Sequence, residues 1–324
     1  MPGALLLGVD GGNTKTHALV TDGDGTVLGR GDAGTADIHN SEPEPALVEI
    51  VRACEEALAA AGASSSDLAA SAFSLAGADW PEDFVLLREE LARRLGLLRE
   101  PVVVNDGIGP LRCGTDDGVG VAAVIGTYCA VGARNAAGEI FHLGFWPDST
   151  GAYALGSEAL AAIWRNMLGL APPTSMLPRA LELWNRSSAE DLLHVFTRID
   201  DGLPAVAERA RFAAAVLDEA EEGDIVARDI VRRVGGRAGD YARVSAERTG
   251  QLGEPFPLVL LGGVLRHPSP LLRAAIHDRV PESTPVYPDI EPVVGALLLA
   301  ADSVGARPDR DRIRDALDWT QAPG

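Results

Sequence analysis

The sequence predicts an α/β protein made of two related halves, each a mixed sheet covered by helices. Three observations carry this prediction. The first 113 residues read strand, strand, strand, helix, strand, helix, strand, with apolar runs and helical periodicity alternating along the chain. A second set of three strands begins near residue 119 and repeats the pattern of strand, Gly-rich turn, strand, turn, short strand. The rest of the chain is Ala-rich and helical, broken by one further strand that ends in two glycines.

The elements follow in order. Apolar runs at 5–9, 17–21 and 26–29 are strands, the last two joined by the turn Asp22-Gly23-Asp24-Gly25, since Asp-Gly between apolar runs is a hairpin signal. From 45 to 61 the positions Leu47, Ile50, Val51, Cys54, Ala57 and Leu58 recur at helical spacing. A strand at 69–75, a helix at 82–95 and a strand at 101–104 complete the first half. The second half opens with strands at 119–125, 130–134 and 140–143, the first two joined through Gly126-Thr127. Amphipathic helices are expected at 153–168, 204–222 and 224–249, then a strand at 258–261. A helix over 292–304 starts at Pro292, which is well placed in a first turn. A charged terminal helix is expected at 308–319, and no linker is long enough to separate independent modules.

Composition narrows the function. The chain has 324 residues, 46% hydrophobic and 23% charged, as in globular proteins. A net charge of −19 argues against a nucleic-acid partner, because phosphate backbones are bound by clustered Lys and Arg. No run of eighteen uncharged apolar residues is present, and MPG leads into a strand-like LLLGVD without a basic n-region. No membrane partner and a cytoplasmic location are therefore expected. The three cysteines, Cys54, Cys113 and Cys129, are far apart and odd in number, which fits a reducing compartment. The six histidines show no zinc-type spacing. His39 is expected at the surface, and Trp80, Trp164, Trp184 and Trp319 are expected to pack. The acidic run 218–224 reads as a solvated helix end.

Four constellations carry chemistry, each at a strand end. In Asp10-Gly11-Gly12-Asn13-Thr14-Lys15-Thr16 the glycine pair allows a tight turn whose amides form an anion-binding concavity. Thr14 and Thr16 add hydroxyls, and Lys15 is the sole lysine of the chain. Asp10 is placed to hold magnesium, through water, because magnesium sheds its hydration shell reluctantly. Asp106 follows the buried strand 101–104 and can accept the proton of a hydroxyl attacking a γ-phosphate. Gly126-Thr127 can cradle phosphates from the opposite side. Gly262-Gly263 lets a flat ring approach the backbone, as an adenine or ribose would.

These residues, in this order, resemble the N-acetylglucosamine kinase and BadF/BadG/BcrA/BcrD ATPase family of the actin-like superfamily. The matching segments are GVDGGNTKT at 8–16, SLAGAD at 74–79, NDG at 105–107, GVAAVIGT at 120–127, RFAAAVLDEAEEGD at 211–224, LLGG at 260–263 and EPVVGALLLA at 291–300. The resemblance implies two ribonuclease-H-like lobes closing on ATP and a sugar. The lobes would be 1–113, with the helical segment 305–320 packing back on it, and 114–304. Carried over by position, Asp106 is the general base and Asp10 serves magnesium. Gly11, Gly12, Asn13, Thr14, Lys15, Gly126, Thr127, Ala214, Gly262 and Gly263 face the nucleotide. Gly77, Asp79 and Asn105 fall on the sugar side, and a homodimer is expected.

Three departures lie on the sugar side. Gly34-Thr35-Ala36-Asp37 carries an aspartate where the family has asparagine, and an ionised aspartate only accepts hydrogen bonds. The second phosphate loop reads Gly126-Thr127-Tyr128-Cys129 instead of Gly-Thr-Gly-Ser. The loop 144–151 is shortened, with Trp146 and Asp148 aligned to the family's sugar-contacting Trp and Asp. Asp37 and Asp148 together would favour an ammonium-bearing sugar. The expected activity is transfer of the ATP γ-phosphate to a hexosamine such as N-acetylglucosamine or glucosamine. The rival is an ATPase that activates a partner enzyme, which in this group holds an iron–sulfur cluster through cysteines.

Overall fold

β1 (Leu5–Gly11) sends Leu7 and Val9 into one core and Leu6 into another, so both faces of the strand are covered. The structure, a computed structural model, describes residues 4–40, 42–143, 150–198 and 206–317. β2 (Thr16–Thr21) and β3 (Val27–Ala33) return antiparallel, and α1 (Pro43–Ala60) covers them. β4 (Leu68–Leu75), α2 (Pro81–Leu95) and β5 (Val102–Asn105) extend the sheet in parallel, in the order β3-β2-β1-β4-β5.

After the short α3 (Leu111–Gly114), β6 (Gly120–Ile125), β7 (Cys129–Arg134) and β8 (Ile140–Leu143) form the second meander. Six helices follow: α4 (Gly151–Met167), α5 (Met176–Trp184), α6 (Ala189–Thr197), α7 (Val206–Ala210), α8 (Ala213–Glu222) and α9 (Ile225–Arg248). β9 (Pro257–Leu261), α10 (Leu271–His277) and β10 (Thr284–Val286) complete a sheet of order β10-β9-β6-β7-β8. That order matches the first sheet strand for strand, so the repeat read in the sequence is a repeat of topology. The chain ends with α11 (Pro292–Ser303) and α12 (Arg310–Leu317).

The short helices α3 and α10 were not expected, and two further features differ from the sequence reading. The expected helix 204–222 is broken between α7 and α8, where Phe212 is fully buried. β10 is an addition, because three residues at a sheet edge leave too short a pattern to read.

The fold is α/β and two-lobed, and its lobes exchange helices. One core lies between β1, β2, β4 and α1–α2; a second lies among the second sheet and its helices. A third lies between the sheets, with Leu6, Leu19 and Ala72 from the first, and Ala122, Val259 and Leu261 from the second. Leu111 of α3 and Val293, Val294 and Leu297 of α11 fill it. α3 follows the first sheet yet packs on β6 and β9, whereas α11 follows the second sheet yet packs on β1 and β4. α12 adds Ile313 to the same core and touches β3. Arg112 of α3 donates to Asp302 of α11 at 2.7 Å, which ties the two crossing helices together.

Candidate active site

Three parallel strands of the first sheet end at one edge. Asp10 lies at the end of β1, Ala76 to Asp79 follow β4, and Asp106 follows β5. The edge is held by backbone bonds: the Ala76 amide donates to Gly11 O at 2.7 Å and the Asp106 amide to Leu75 O at 3.2 Å. In the second sheet β6 and β9 likewise end together, at Gly126 and Gly262. Both edges open onto one cavity of about 900 Å³. Ligands in open α/β folds bind at such carboxyl edges.

The cavity collects most of the residues singled out from sequence. Asp10, Gly12, Asn13, Thr14, Lys15, Asp37, Gly77, Asp79, Asp106, Gly126, Thr127, Gly262 and Gly263 all line it. Gly11 is buried beneath the first turn. Asn105 is buried behind Asp79, donating from Nδ2 to Asp79 Oδ1 at 3.0 Å while its Oδ1 accepts from the Gly107 amide at 2.9 Å. Ala214 is exposed on α8 and lies outside the cavity lining. Trp146 and Asp148 fall outside the described residues.

The turns are built as the glycines implied. The Gly12 amide donates to Lys15 O at 2.8 Å and closes the first hairpin. The Gly126 amide donates to Tyr128 O at 2.9 Å, and the Ala152 and Tyr153 amides of α4 bond back to Gly126 O and Thr127 O. Gly262 has φ +107°, and a Cβ there would stand 2.3 Å from Ile125 O, so the two strand ends meet at a site only glycine fits. Gly107 and Gly132 make a second close approach: a Cβ on Gly132 would stand 2.4 Å from Gly107 O. That contact sets Asp106, the neighbour of Gly107, at the boundary between the lobes.

The electrostatics are those of crowded carboxylates. Burial pushes Asp106 up to about 8, with the charges of Asp10, Asp79 and Asp37 adding to the rise. Burial pushes Asp10 up to about 7, opposed by Lys15 and reinforced by Glu291. Asp79 is pushed up to about 6 by burial, against the pull of His39. Three aspartates with raised pKa values in one cleft mark a functional site, because folding gains nothing from burying them together.

Sequence reading missed several lining residues. Trp80, expected to pack, is 49% exposed and lines the cavity. His39 is exposed, as expected, and also lines the cavity, with Nε2 3.0 Å from Asp83 Oδ2. Burial alone would lower the His39 pKa, but the Asp83 bond and the nearby Asp79 and Asp37 outweigh it and raise it. Asp83 is buried and accepts from the amides of Asp79 and Trp80 at 3.2 and 2.8 Å, so it orders the loop that carries Asp79. His17, Arg30 and Glu291 line the cavity from the far side of β1. The spacing of SLAGADWPED, with an acidic residue three positions after Trp80, was the available signal for the loop. No local signal announced Glu291.

The cysteines do not converge. Cys54 lies in the first core, Cys113 in the core between the sheets and Cys129 in the second. Burial raises all three thiols, Cys113 and Cys129 to about 12. Among the described helices none is long and apolar enough to cross a membrane.

Several known proteins are similar to this chain. An N-acetyl-D-glucosamine kinase of Dictyostelium discoideum is 25% identical over 315 residues, covering 92% of this chain and 98% of its own. An N-acetylmuramic acid/N-acetylglucosamine kinase of Clostridium acetobutylicum is 25% identical over 266 residues, covering 81% and 86%. Among solved structures, a provisionally assigned N-acetylglucosamine kinase of Chromobacterium violaceum superposes with TM-score 0.70 at 23% identity, over 92% of this chain and 99% of that one. A ROK family glucokinase of Streptomyces griseus, solved with glucose and AMPPNP, gives TM-score 0.59 at 18% identity, over 92% and 100%. These two solved structures share the two-lobed α/β fold of this chain. The BadF/BadG/BcrA/BcrD ATPase family matches residues 7–300. The chain belongs to that family.

Proposed function

We propose that this protein is an ATP-dependent kinase that transfers the γ-phosphate to a hydroxyl of a hexosamine such as N-acetylglucosamine or glucosamine. One observation carries the reading. Asp106 stands at the lobe boundary, in the same cavity as two glycine turns, one from each sheet. A base between two anion-binding turns suits transfer of a phosphoryl group to a nucleophile, where catalysis rests on positioning and charge.

In this reading the turns at Gly12–Lys15 and Gly126–Thr127 grip the phosphates, and Gly262-Gly263 lies beside the nucleoside. Asp106 takes the proton of the attacking hydroxyl. Asp37 and Asp79 orient the sugar, with Asn105 holding Asp79, and Asp37 favours one that carries an ammonium group. The site fits magnesium, because Asp10 offers hard oxygens in a cleft whose crowded carboxylates a cation would offset. Magnesium, when bound, neutralises charge on the transferring phosphoryl group. Asp10 would hold it through water. The enzyme would act in the cytoplasm as a homodimer, and sedimentation giving a single monomeric species would remove that last part.

The deciding experiment measures ADP release with glucose, glucosamine, N-acetylglucosamine and N-acetylmannosamine. Release that depends on an amino sugar supports the kinase. Steady ATP hydrolysis indifferent to every sugar would favour the partner-activating ATPase.

A further inference from the structure

The helix that crosses from the second lobe delivers a second carboxylate to the Asp10 side of the cavity. Residues alternate along β1, so Leu6, Gly8 and Asp10 share the face turned toward α11. α11 lies closest at Gly8, where a Cβ would stand 2.4 Å from the Leu297 backbone nitrogen. From that crossing β1 continues to Asp10 and α11 runs back to Glu291, and both side chains line the cavity.

Glu291 is not placed to serve the helix. It occupies the N-cap position of α11, but its side chain caps no amide. Only 6% of the residue is exposed. Oε1 accepts from Arg30 Nη1 at 3.3 Å. Oε2 is buried and has no hydrogen-bond partner among the described residues. Arg30 is itself held, donating from Nε to Asp32 Oδ2 at 3.3 Å, and Asp32 pairs with His17. In the register of the sheet, Asp10 stands opposite His17, and His17 opposite Asp32. One carboxylate oxygen is thus anchored by a row of side chains, while the other is buried without a partner in a residue that lines the cavity. A buried carboxylate oxygen without a donor is costly unless something else supplies positive charge.

The partner such an oxygen lacks is a hard cation. Magnesium uses one or two protein carboxylates, keeps several waters, and takes its other ligands from phosphates. Among the described residues no three His, Cys, Asp or Glu side chains form a ready-made metal cage. Two carboxylates that line one cavity, on elements that cross at Gly8, fit this shared kind of site. We propose that Glu291 is the second carboxylate of the divalent-cation site, holding with Asp10 the hydrated cation that accompanies ATP, and that the Arg30–Asp32–His17 row fixes its orientation. The proposal rests on the assignment of Asp10 to the metal in the kinase reading above. Because α11 crosses between the lobes, the cation also links bound nucleotide to the helix that joins them.

The test is titration of the full chain with Mn²⁺ in the presence of ADP, followed by electron paramagnetic resonance of free Mn²⁺. Glu291→Gln is expected to weaken Mn²⁺ binding to the ADP complex by about tenfold or more. ADP affinity measured in EDTA should stay unchanged, and Glu291→Asp should fall between Gln and wild type. Asp10→Asn is run beside them. If Asp10→Asn loses Mn²⁺ while both Glu291 variants retain it, the proposal is overturned and the Asp10 assignment stands. A fall in melting temperature for Glu291→Gln with unchanged Mn²⁺ affinity overturns it equally, since Glu291 is then only the partner of Arg30. Should Glu291→Gln not fold, Glu291→Asp at wild-type Mn²⁺ affinity is the result that overturns it. Loss in the Glu291 variants alone would sink the Asp10 assignment and with it the shared site. Retention in every variant would sink both.

Discussion

In the first sheet, β1 and β2 set Asp10 opposite His17, and β3 adds Asp32 to the same row. At the matching register of the second sheet, Val124 stands opposite Ala130. Both hairpins end in a glycine turn on the same cavity, and the strand orders are identical. The scaffold is repeated but its chemistry is not. The first hairpin carries charge on side chains, whereas the second offers little beyond backbone amides and a threonine. Like charges on both sides would repel across the cleft, and the charge of Asp10 already raises the pKa of Asp106. In the proposed kinase reading, the amide-lined half would face the phosphates and the ionic half would hold the cation that neutralises them.

The sharpest blow to this division removes Asp106, the proposed base between the hairpins. Asp106→Asn should lower sugar phosphorylation by about 10³-fold while leaving ATP binding nearly intact. Near-normal turnover would remove Asp106 from the mechanism. Making the first hairpin resemble the second comes next. Asp10→Val should abolish most magnesium-dependent turnover, by about 10²-fold or more, yet raise the melting temperature, because an ionisable group buried for function is lost. The reciprocal Val124→Asp should lower the melting temperature. If both variants shift stability in the same direction, the two hairpins are not chemically distinct.

Gly262→Ala tests the backbone half alone. With φ at +107° and Ile125 O in the way, it should cost about 1–3 kcal/mol of stability, measured by urea unfolding. A smaller effect is expected from pH. Asp79, Asp10 and Asp106 titrate near 6, 7 and 8 in the folded protein, against the 3.8 of an unperturbed aspartate. The folded state therefore keeps protons that the unfolded chain releases, and stability is lost as pH rises through this window. The ligand-free protein should melt several degrees higher at pH 5.5 than at pH 8.5, and the difference should shrink in Asp106→Asn. The smallest effect is at the sugar. Asp37→Asn should reduce the preference for glucosamine over N-acetylglucosamine by less than about tenfold, read as a ratio of kcat/KM values.

The parts legible in the sequence are those whose cause is local. A glycine pair after an apolar run forces a turn, and an aspartate at a strand end reaches the sheet edge, whatever the rest of the chain does. Asp10, Gly12, Asp106, Gly126 and Gly262 could be read for that reason. Trp80 could not, because its setting depends on Asp83, whose carboxylate bonds both the His39 ring and the Trp80 amide. Ala214 was placed by resemblance alone, and it stands on an exposed stretch of α8 outside the cavity lining.

By itself the sequence determined the two meanders, the glycine turns that join their strands, and the carboxylates at the strand ends. Periodicity and turn chemistry act over a few residues, and they suffice for such features. Only the tertiary structure decided that α11 leaves the second sheet to lie on the first. That crossing sets Glu291 and Arg30 within one ion pair although they are 261 positions apart. No local pattern encodes such a meeting, because it follows from burying the apolar faces of both sheets around shared helices.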